Sequence, residues 1–267
     1  MAPFLEAVVV RKNDEIAPDI SCVLLEAPRV AQCLEPGQFV HLLLPTFDAH
    51  ILRRPFSVFA TDAAGGLIEI VYQRLGEGTR FLAELQRGAS LDLIGPLGQG
   101  WRAGANTRNA LLVAGGIGIA PLNMLAAQLL TSARVCLITG AQSAERIVSL
   151  RLPSSVASAT TKTGESRLTV ITTTDDGSTG IKGLVTDVTG ELLAQQDFDY
   201  LATCGPEPMQ RIVAAHALAA GVTCEVSLER RMACGIGACL SCAVLTRDGT
   251  RRACVDGPVF NAEEVLW

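Results

Sequence analysis

The chain has 267 residues, of which 49% are hydrophobic, and it carries a formal net charge of −5. This length is sufficient for two domains and a smaller module. Without a basic block to neutralise phosphates, nucleic acid is not an expected partner. The first residues, 1–6, lack the pattern of a secretory signal, and no apolar run reaches the roughly 18–20 residues of a membrane span. We therefore expect a cytoplasmic protein without a membrane segment.

Short strand patterns separated by Gly, Pro and Asp dominate residues 1–103 and predict a small antiparallel β-barrel. One helix, predicted over Gly78–Leu85 with Thr79 as its N-cap, interrupts the strands. The predicted strands are Ala7–Val10, Ile20–Leu25, Gln38–Leu44, Pro55–Phe59, Ile68–Gln73 and Ser90–Ile94.

Two segments of this barrel contain groups that suit a flavin dinucleotide. In Arg54-Pro55-Phe56-Ser57, the guanidinium can bind a pyrophosphate through two hydrogen bonds and the hydroxyl can bond the flavin ring. The second segment runs from Val71-Tyr72-Gln73 to Gly78 and Thr79, where a helix N-terminus with exposed amides suits an anion. Taken alone, the arginine is interpreted as a surface residue and Tyr72 as a half-buried aromatic residue of a strand. Their position before a nucleotide-binding domain favours FAD.

Strands alternate with helices over residues 104–222, which predicts a doubly wound parallel sheet. The segment Pro153–Ser166 is its least regular part. The predicted strands are Leu111–Ala114, Val135–Thr139, Leu168–Thr172 and Tyr200–Cys204, and the predicted helices are Ala120–Leu130, Ser143–Leu150, Val185–Gln195 and Glu207–Ala220.

Two glycine turns follow strands of this domain and predict a nicotinamide dinucleotide site. Gly115, Gly116 and Gly118 follow the first strand, and Cys204-Gly205-Pro206 ends the last. Ligands of such sheets bind outside the carboxyl ends of the strands, so the two turns should form one crevice. The alternative interpretations are a plain strand–helix turn for the first glycine turn and a small core residue for Cys204.

The ribose is predicted at two neighbouring strand ends, Thr139–Gln142 and Asp175–Asp176. Apart from Arg146, no basic residue stands there, which favours NAD over NADP.

Four cysteines characterise residues 223–267, namely Cys234, Cys239, Cys242 and Cys254. The spacing C-x4-C-x2-C is typical of a plant-type [2Fe–2S] site. The small residues between the first two cysteines let backbone N–H groups approach the cluster sulfides. A structural zinc site also uses four thiolates and stays an alternative, although zinc sites usually pair two short C-x2-C motifs. Disulfides are not expected, because the chain has nine cysteines and no visible secretory signal.

In this order, the motifs R-P-x-S, G-G-x-G-x-A-P, C-G-P and the four cysteines resemble the ferredoxin–NADP reductase superfamily. The resemblance is closer to the electron transfer subunits of class 1B dihydroorotate dehydrogenases, and it covers nearly the whole chain. The best local matches are Glu229–Cys239 and Arg252–Phe260. Ser241 departs from the pattern, because a glycine is expected there.

The resemblance implies three domains: an FAD-binding barrel, an NAD-binding α/β domain and a [2Fe–2S] module that uses the four cysteines. It also implies an FMN-containing dihydroorotate dehydrogenase catalytic subunit as partner, in a heterotetramer of two plus two. Electrons would pass from the FMN of the partner through the cluster and FAD to NAD⁺. The histidines His41, His50 and His216 form no recognisable base arrangement, so we assign the pyrimidine chemistry to the partner and no catalytic residue to this chain.

Two other functions are compatible with these motifs. A related NAD(P)H-linked flavin and iron–sulfur subunit, with a partner of the ferredoxin, sulfide or hydrogenase type, would share every cofactor. A zinc-bearing binding protein without enzymatic activity would make the flavin and nicotinamide motifs coincidental.

Overall fold

The computed structural model of the chain describes residues 3–44, 52–160 and 163–267. The amino-terminal region contains two helices, α1 (Pro28–Ala31) and α2 (Glu77–Glu84). Its strands are β1 (Phe4–Ala17), β2 (Ile20–Glu26), β3 (Phe39–Leu43), β4 (Arg54–Ser57), β5 (Ala60–Asp62), β6 (Leu67–Gln73) and β7 (Ser90–Leu97). Within the described ranges, no helix is both long and apolar enough to cross a membrane.

In the described part of the chain, these seven strands form one antiparallel sheet in the order β4-β3-β7-β1-β2-β6-β5. Alternate side chains of β1, such as Val8 and Val10, are fully buried inside it, as expected for a strand with one face on a core. The rings of Phe56 and Tyr72 meet edge to face, with centroids 6.0 Å apart, and so join β4 to β6 across the opening. The predicted antiparallel barrel is confirmed.

The helix α2 starts one residue earlier than predicted, and Thr79 is not its N-cap. Gly76 is the N-cap residue, and Thr79 is the third helical residue. The Thr79 hydroxyl accepts hydrogen bonds from the backbone N–H groups of Leu75 (3.0 Å) and Gly76 (3.1 Å). The prediction of the N-cap was wrong because a threonine can also satisfy this helix end by bonding backwards from its third position.

The second sheet is built from residues 109–261. Its strands are β8 (Asn109–Gly115), β9 (Arg134–Ala141), β10 (Leu168–Thr174), β11 (Ile181–Lys182), β12 (Tyr200–Cys204) and β13 (Thr223–Ser227), together with β16 (Val259–Asn261) near the end of the chain. Its helices are α3 (Ala120–Leu129), α4 (Ser154–Ala157), α5 (Val185–Gln195) and α6 (Glu207–Ala219).

Among the described residues, this sheet has the order β11-β10-β9-β8-β12-β13-β16 and is parallel except for β16. Strands buried on both faces read as continuous apolar runs, as β8 and β12 do. The strand order reverses at β8, so the crevice between the carboxyl ends of β8 and β12 is the topological switch point. The predicted α/β domain is confirmed, and its ligand site is expected at this crevice.

The predicted helix Ser143–Leu150 was wrong. Only a short 3₁₀ turn, Ala144–Arg146, forms there, and the chain then runs extended. The buried side chain of Asn123 supports the extended segment, since its Oδ1 accepts a hydrogen bond from the Arg151 N–H (2.8 Å) and its amide donates to the Arg151 carbonyl (3.0 Å). The following irregular segment contains α4, while residues 161–162 lie outside the described residues.

The carboxy-terminal segment begins and ends in the second sheet. Its first strand, β13, pairs with β12, and β16 then pairs with β13. Between them, β14 (Ala243–Thr246) and β15 (Gly249–Arg252) form an antiparallel hairpin. The predicted boundary at residue 223 therefore stands at the start of a strand that continues the nucleotide-domain sheet.

The barrel and the second sheet share a hydrophobic core. Phe59 of the barrel is buried in one cluster with Leu122 and Leu125 of α3. Two hydrogen bonds cross the same junction, from the Asn123 amide to the Phe59 carbonyl (3.0 Å) and from the Trp101 indole to the Pro121 carbonyl (2.9 Å). Burial and satisfied polar groups together hold the two units in one arrangement.

Candidate functional site

A cleft of about 1060 Å³ lies between the barrel, the second sheet and the carboxy-terminal segment. Most of the residues predicted for FAD and NAD line it, namely Pro55, Phe56, Ser57, Val71, Tyr72, Gln73, Thr79, Gly115, Gly116, Cys204, Gly205 and Pro206. Three predicted residues, Arg54, Gly78 and Gly118, do not belong to this lining. Segments that are far apart in sequence thus form one site.

Tyr72 contributes its ring to the barrel wall of the cleft. Its hydroxyl donates a hydrogen bond to Asn13 Oδ1 (3.1 Å), and burial raises the pKa of Tyr72 to about 12. The phenol is therefore protonated at neutral pH and is engaged within the barrel, which leaves the ring face to contact a ligand.

Arg54 and the start of α2 lie side by side. A Cβ atom built on Gly78 would stand 3.5 Å from the Arg54 Nε, an ordinary contact distance. The neighbouring Arg53 is used differently, since its guanidinium forms an ion pair with Asp92 at 2.9 Å. The two arginines have separate tasks, and the Arg54 guanidinium stands with the amides of a helix N-terminus, a combination that suits a pyrophosphate.

The two glycine turns touch each other at the switch point. Gly205 has a φ of +152°, and a Cβ atom on it would lie 3.0 Å from the Gly115 Cα. A Cβ atom on Gly118 would lie only 2.1 Å from the Cys204 carbonyl oxygen. Gly118 thus permits close packing of the turn on β12, whereas Gly115, Gly116 and Gly205 line the cleft.

Two weak acids, the buried Cys204 thiol and the exposed Glu229 carboxyl, stand in the cleft wall. Burial, with a further contribution from the Glu229 charge, raises the pKa of the Cys204 thiol to about 12. Loss of hydration within the cleft raises the pKa of the Glu229 carboxyl above its ordinary value. No sequence motif links Glu229 to this site, because a helix and a strand separate it from the glycine turns.

Gln210 is a second residue that sequence analysis missed. It lines the cleft in the first turn of α6, is 1% exposed, and donates from Nε2 to the Gly205 carbonyl at 2.7 Å. Within the described ranges its Oε1 has no hydrogen-bond partner. A buried acceptor without a partner in a cleft wall fits a ligand that offers an N–H or O–H group.

Gln142, Arg146 and Asp175, from the strand ends where the ribose is predicted, also line the cleft. Arg146 forms an ion pair with Asp19 of the barrel at 3.3 Å. Because its charge is already matched by a carboxylate and Asp175 stands nearby, this end of the cleft favours an uncharged ribose 2′-hydroxyl over a phosphate.

The hairpin explains the long spacing before the fourth cysteine. Cys242 precedes β14 and its carbonyl accepts a hydrogen bond from the Ala253 N–H at 2.9 Å, which brings Cys254 beside Cys242. On the other side, Gly235 and Gly237 have φ values of +70° and +83°. These left-handed conformations favour glycine and let the loop fold back, so that the Cys239 N–H lies 3.4 Å from the Cys234 sulfur.

The cysteine sulfurs fall into two neighbouring pairs. Burial opposes ionisation of Cys234, but N–H groups of Ile236 and Cys239 lower the pKa of its thiol to about 6. Burial and the adjacent Cys242 raise the pKa of Cys254 to about 12. In the described part of the chain, no three metal-binding side chains converge on a single point. Two thiol pairs fit a cluster with two irons better than one tetrahedral zinc ion.

The cleft wall leads directly into the cysteine loop. Leu228, Glu229, Arg230 and Met232 line the cleft, and Cys234 follows two residues after the last of them. Two residues span at most about 7 Å. The two candidate sites are therefore neighbours.

Three family models match the chain in the order of its structural units. They are an oxidoreductase FAD-binding domain over residues 7–101, an oxidoreductase NAD-binding domain over residues 112–215, and the iron–sulfur cluster binding domain of dihydroorotate dehydrogenase B over residues 229–266.

Curated relatives agree with these matches. The chain is 38% identical to the "Dihydroorotate dehydrogenase B (NAD(+)), electron transfer subunit" of Fusobacterium nucleatum subsp. nucleatum, with 98% of each chain covered. It is 37% identical to the protein of the same name from Bacillus velezensis, with 97% of each chain covered.

Solved structures show the same fold. The structure of an NADH-dependent reduced ferredoxin–NADP oxidoreductase superposes with a TM-score of 0.82 and 32% identity, covering 97% of this chain and 89% of the other. A ferredoxin reductase of carbazole 1,9a-dioxygenase shares the fold with a TM-score of 0.65 at 20% identity, covering 83% of this chain and 67% of the other. The chain is an oxidoreductase of the ferredoxin–NADP reductase superfamily, and it belongs to the family of electron transfer subunits of dihydroorotate dehydrogenase B (NAD⁺).

Proposed function

We propose that this chain transfers electrons between a dihydroorotate-oxidising partner subunit and NAD⁺, using a [2Fe–2S] cluster and FAD. One observation carries the proposal: a single cleft joins both predicted dinucleotide segments, and its wall continues into the cysteine loop within two residues. The three predicted domains, 1–103, 104–222 and 223–267, are the units that would bind FAD, NAD and the cluster.

The barrel residues would bind FAD. Arg54 and the start of α2 at Gly78 and Thr79 would hold the pyrophosphate. Ser57, the Tyr72 ring and their neighbours Pro55, Phe56, Val71 and Gln73 would contact the flavin. When bound, FAD exchanges a hydride with the nicotinamide and single electrons with the cluster.

The glycine turns would bind the nicotinamide dinucleotide. Gly115, Gly116, Gly205 and Pro206 offer backbone without bulky side chains, and Gly118 packs the first turn against β12. Cys204 would present a neutral thiol, since burial raises its pKa to about 12. The ion pair of Arg146 with Asp19 supports NAD rather than NADP.

The four thiolates would hold the cluster in two pairs, Cys234 with Cys239 and Cys242 with Cys254. The cysteine loop also exposes apolar side chains, Ile236 at 56% and Leu240 at 64%. Exposed apolar groups beside a redox centre support a partner that covers them. The FMN-containing catalytic subunit, in a two-plus-two heterotetramer, is the partner that we propose.

We also propose a cytoplasmic location. All nine cysteines, each of which the structure describes, are free thiols. Free thiols and iron–sulfur ligands suit a reducing compartment.

A second candidate function is an NADH-linked subunit of a ferredoxin-coupled oxidoreductase. The observation in its favour is the similarity, at 32% identity and a TM-score of 0.82, to the NADH-dependent reduced ferredoxin–NADP oxidoreductase structure. Such a protein would keep the same cofactor sites and exchange electrons with a different partner.

Co-purification with an FMN-containing partner, followed by cofactor analysis and a dihydroorotate:NAD⁺ assay, tests the proposal. We expect FMN, FAD, iron and sulfide in the complex, and NAD⁺ reduction that depends on dihydroorotate. A complex with FAD and a cluster but without FMN or this activity would instead favour the second candidate function.

A further inference from the structure

His41 is a buried polar residue that the proposed function does not use. It lies in β3, is 0% exposed, and in the described part of the chain neither ring nitrogen has a hydrogen-bond partner. Buried polar side chains nearly always have partners, because an unpaired one loses its hydration without compensation. The unpaired ring therefore fits a bound group that offers it an acceptor or a donor.

The position of the ring identifies where that group lies. A Cβ atom built on Gly235 would stand 2.6 Å from the His41 Nδ1 and 2.8 Å from its Cε1. Gly235 directly follows Cys234 and has a left-handed φ of +70°. The Nδ1 edge of the imidazole thus faces the first turn of the cysteine loop, and any side chain at position 235 would displace it.

Two further neighbours of His41 line the cleft in which we propose that FAD binds. The ring of Phe39, two residues earlier on the same face of β3, stands 6.0 Å away at an edge-to-face angle and lines the cleft. On the neighbouring strand β4, Pro55 of the predicted FAD segment pairs with His41. His41 therefore stands between the wall of the flavin cleft and the cysteine loop.

The ring is neutral at physiological pH. Burial, with additional repulsion from the charges of Arg53 and Arg54, lowers the pKa of His41 to about 4. A neutral imidazole carries one N–H donor and one acceptor nitrogen. Sulfur atoms of a thiolate-bound iron cluster are acceptors, and donors to them become more favourable when the cluster gains an electron.

We propose that His41 is a positioning residue that donates a hydrogen bond from Nδ1 to the sulfur shell of the bound cluster and thereby raises its reduction potential. The inference rests on the proposed placement of the cluster on Cys234 and its three partner cysteines. No transfer of the imidazole proton is involved: the hydrogen bond stabilises the cluster that has accepted one electron, and His41 stays neutral in both redox states.

The first test is potentiometry of the cluster in the purified complex, monitored by electron paramagnetic resonance. In His41→Leu, we expect the equilibrium for one-electron reduction to become about tenfold less favourable, which is a potential lower by about 59 mV. His41→Gln retains an amide donor, so its cluster potential should lie between those of the wild type and of His41→Leu. His216→Gln is the matched control, since His216 on α6 packs near Gly190 of α5 and should leave the potential unchanged. A His41→Leu complex with full iron content and an unchanged potential would overturn the inference.

A second measurement avoids His41→Leu, in case that variant does not retain the cluster. Pulsed electron paramagnetic resonance of the reduced cluster should show a nitrogen coupling that changes when all histidines carry ¹⁵N. This coupling should disappear in His41→Gln and persist in His216→Gln. If the wild-type cluster shows no histidine-dependent coupling, the role of His41 is refuted and the proposed cluster site stands. If the wild-type protein contains no iron and sulfide, the proposed cluster site itself is refuted.

Discussion

The cysteine loop and the flavin–nucleotide cleft are built in different ways. The four cysteines lie in one continuous segment, where two left-handed glycines and one hairpin bring them together. The cleft instead draws its lining from residues as distant as Ile20 and Pro258. Local spacing can specify the first site, whereas the second depends on how whole domains pack. The two sites should therefore respond differently to substitution.

Removal of a cluster ligand should separate the two sites most clearly. In Cys239→Ser, we expect the cluster to be lost and dihydroorotate:NAD⁺ activity to fall by more than the about 10–100-fold typical of changes outside the ligand shell. FAD binding, and NADH oxidation by an artificial two-electron acceptor, should persist, because none of the four cluster cysteines lines the cleft. Cys33→Ser, at a half-exposed cysteine of the barrel, should affect neither. If Cys239→Ser lost both activities while FAD stayed bound, the two sites would not be independent.

Gly118→Ala should damage the cleft and spare the cysteine loop. The new Cβ atom would stand 2.1 Å from the Cys204 carbonyl oxygen, so the turn must move away from β12. We expect a loss of about 1–3 kcal/mol in the free energy of unfolding, as for other overpacking substitutions, and weaker NAD binding. Thermal unfolding and NADH titration measure both. Gly104→Ala, which places a Cβ atom in open space, is the control, and equal behaviour of the two variants would show that the close contact is unimportant.

Arg54→Ala should weaken FAD binding without changing the iron content. A hydrogen bond to a charged group contributes about 1.5–3 kcal/mol, so the flavin dissociation constant should rise about 10- to 100-fold. Flavin content after dialysis provides the measurement. Arg11→Ala removes an exposed charge from the Glu26 pair on the barrel surface and should retain FAD. Undiminished flavin in Arg54→Ala would exclude Arg54 from the site.

A smaller effect is expected at the ribose end of the cleft. Asp175→Asn removes a carboxylate beside the site of a 2′-phosphate, and an exposed charge of this kind contributes at most about 1 kcal/mol. The ratio of kcat/KM for NADPH to that for NADH should therefore rise by a factor of about five or less. Asp197→Asn, beside the opposite end of β8, should not alter this ratio. An unchanged ratio in Asp175→Asn would mean that other groups exclude the phosphate.

Sequence patterns predicted both sheets, most helices and the segments that line the cleft, because each depends on local periodicity or on a turn at the end of a strand. Ser143–Leu150 was misread as a helix, since Asn123 of another element binds the backbone of Arg151, directly after the segment, and supports an extended chain there. Glu229, Gln210 and His41 were not assigned to the site because tertiary packing alone brings them there. Gly118 was predicted as a ligand-binding glycine, but its position indicates a packing role.

Anaerobic titration of the purified chain with NADH decides whether one chain carries a flavin and a cluster in adjacent sites. FAD takes up two electrons and a [2Fe–2S] cluster one, so we expect about three electron equivalents per chain, with the flavin and cluster absorbances both bleached. In Cys239→Ser, the uptake should fall to about two, and the flavin alone should bleach. Uptake of two equivalents by the wild-type chain, with four cysteines bound to a colourless metal, would exclude the cluster.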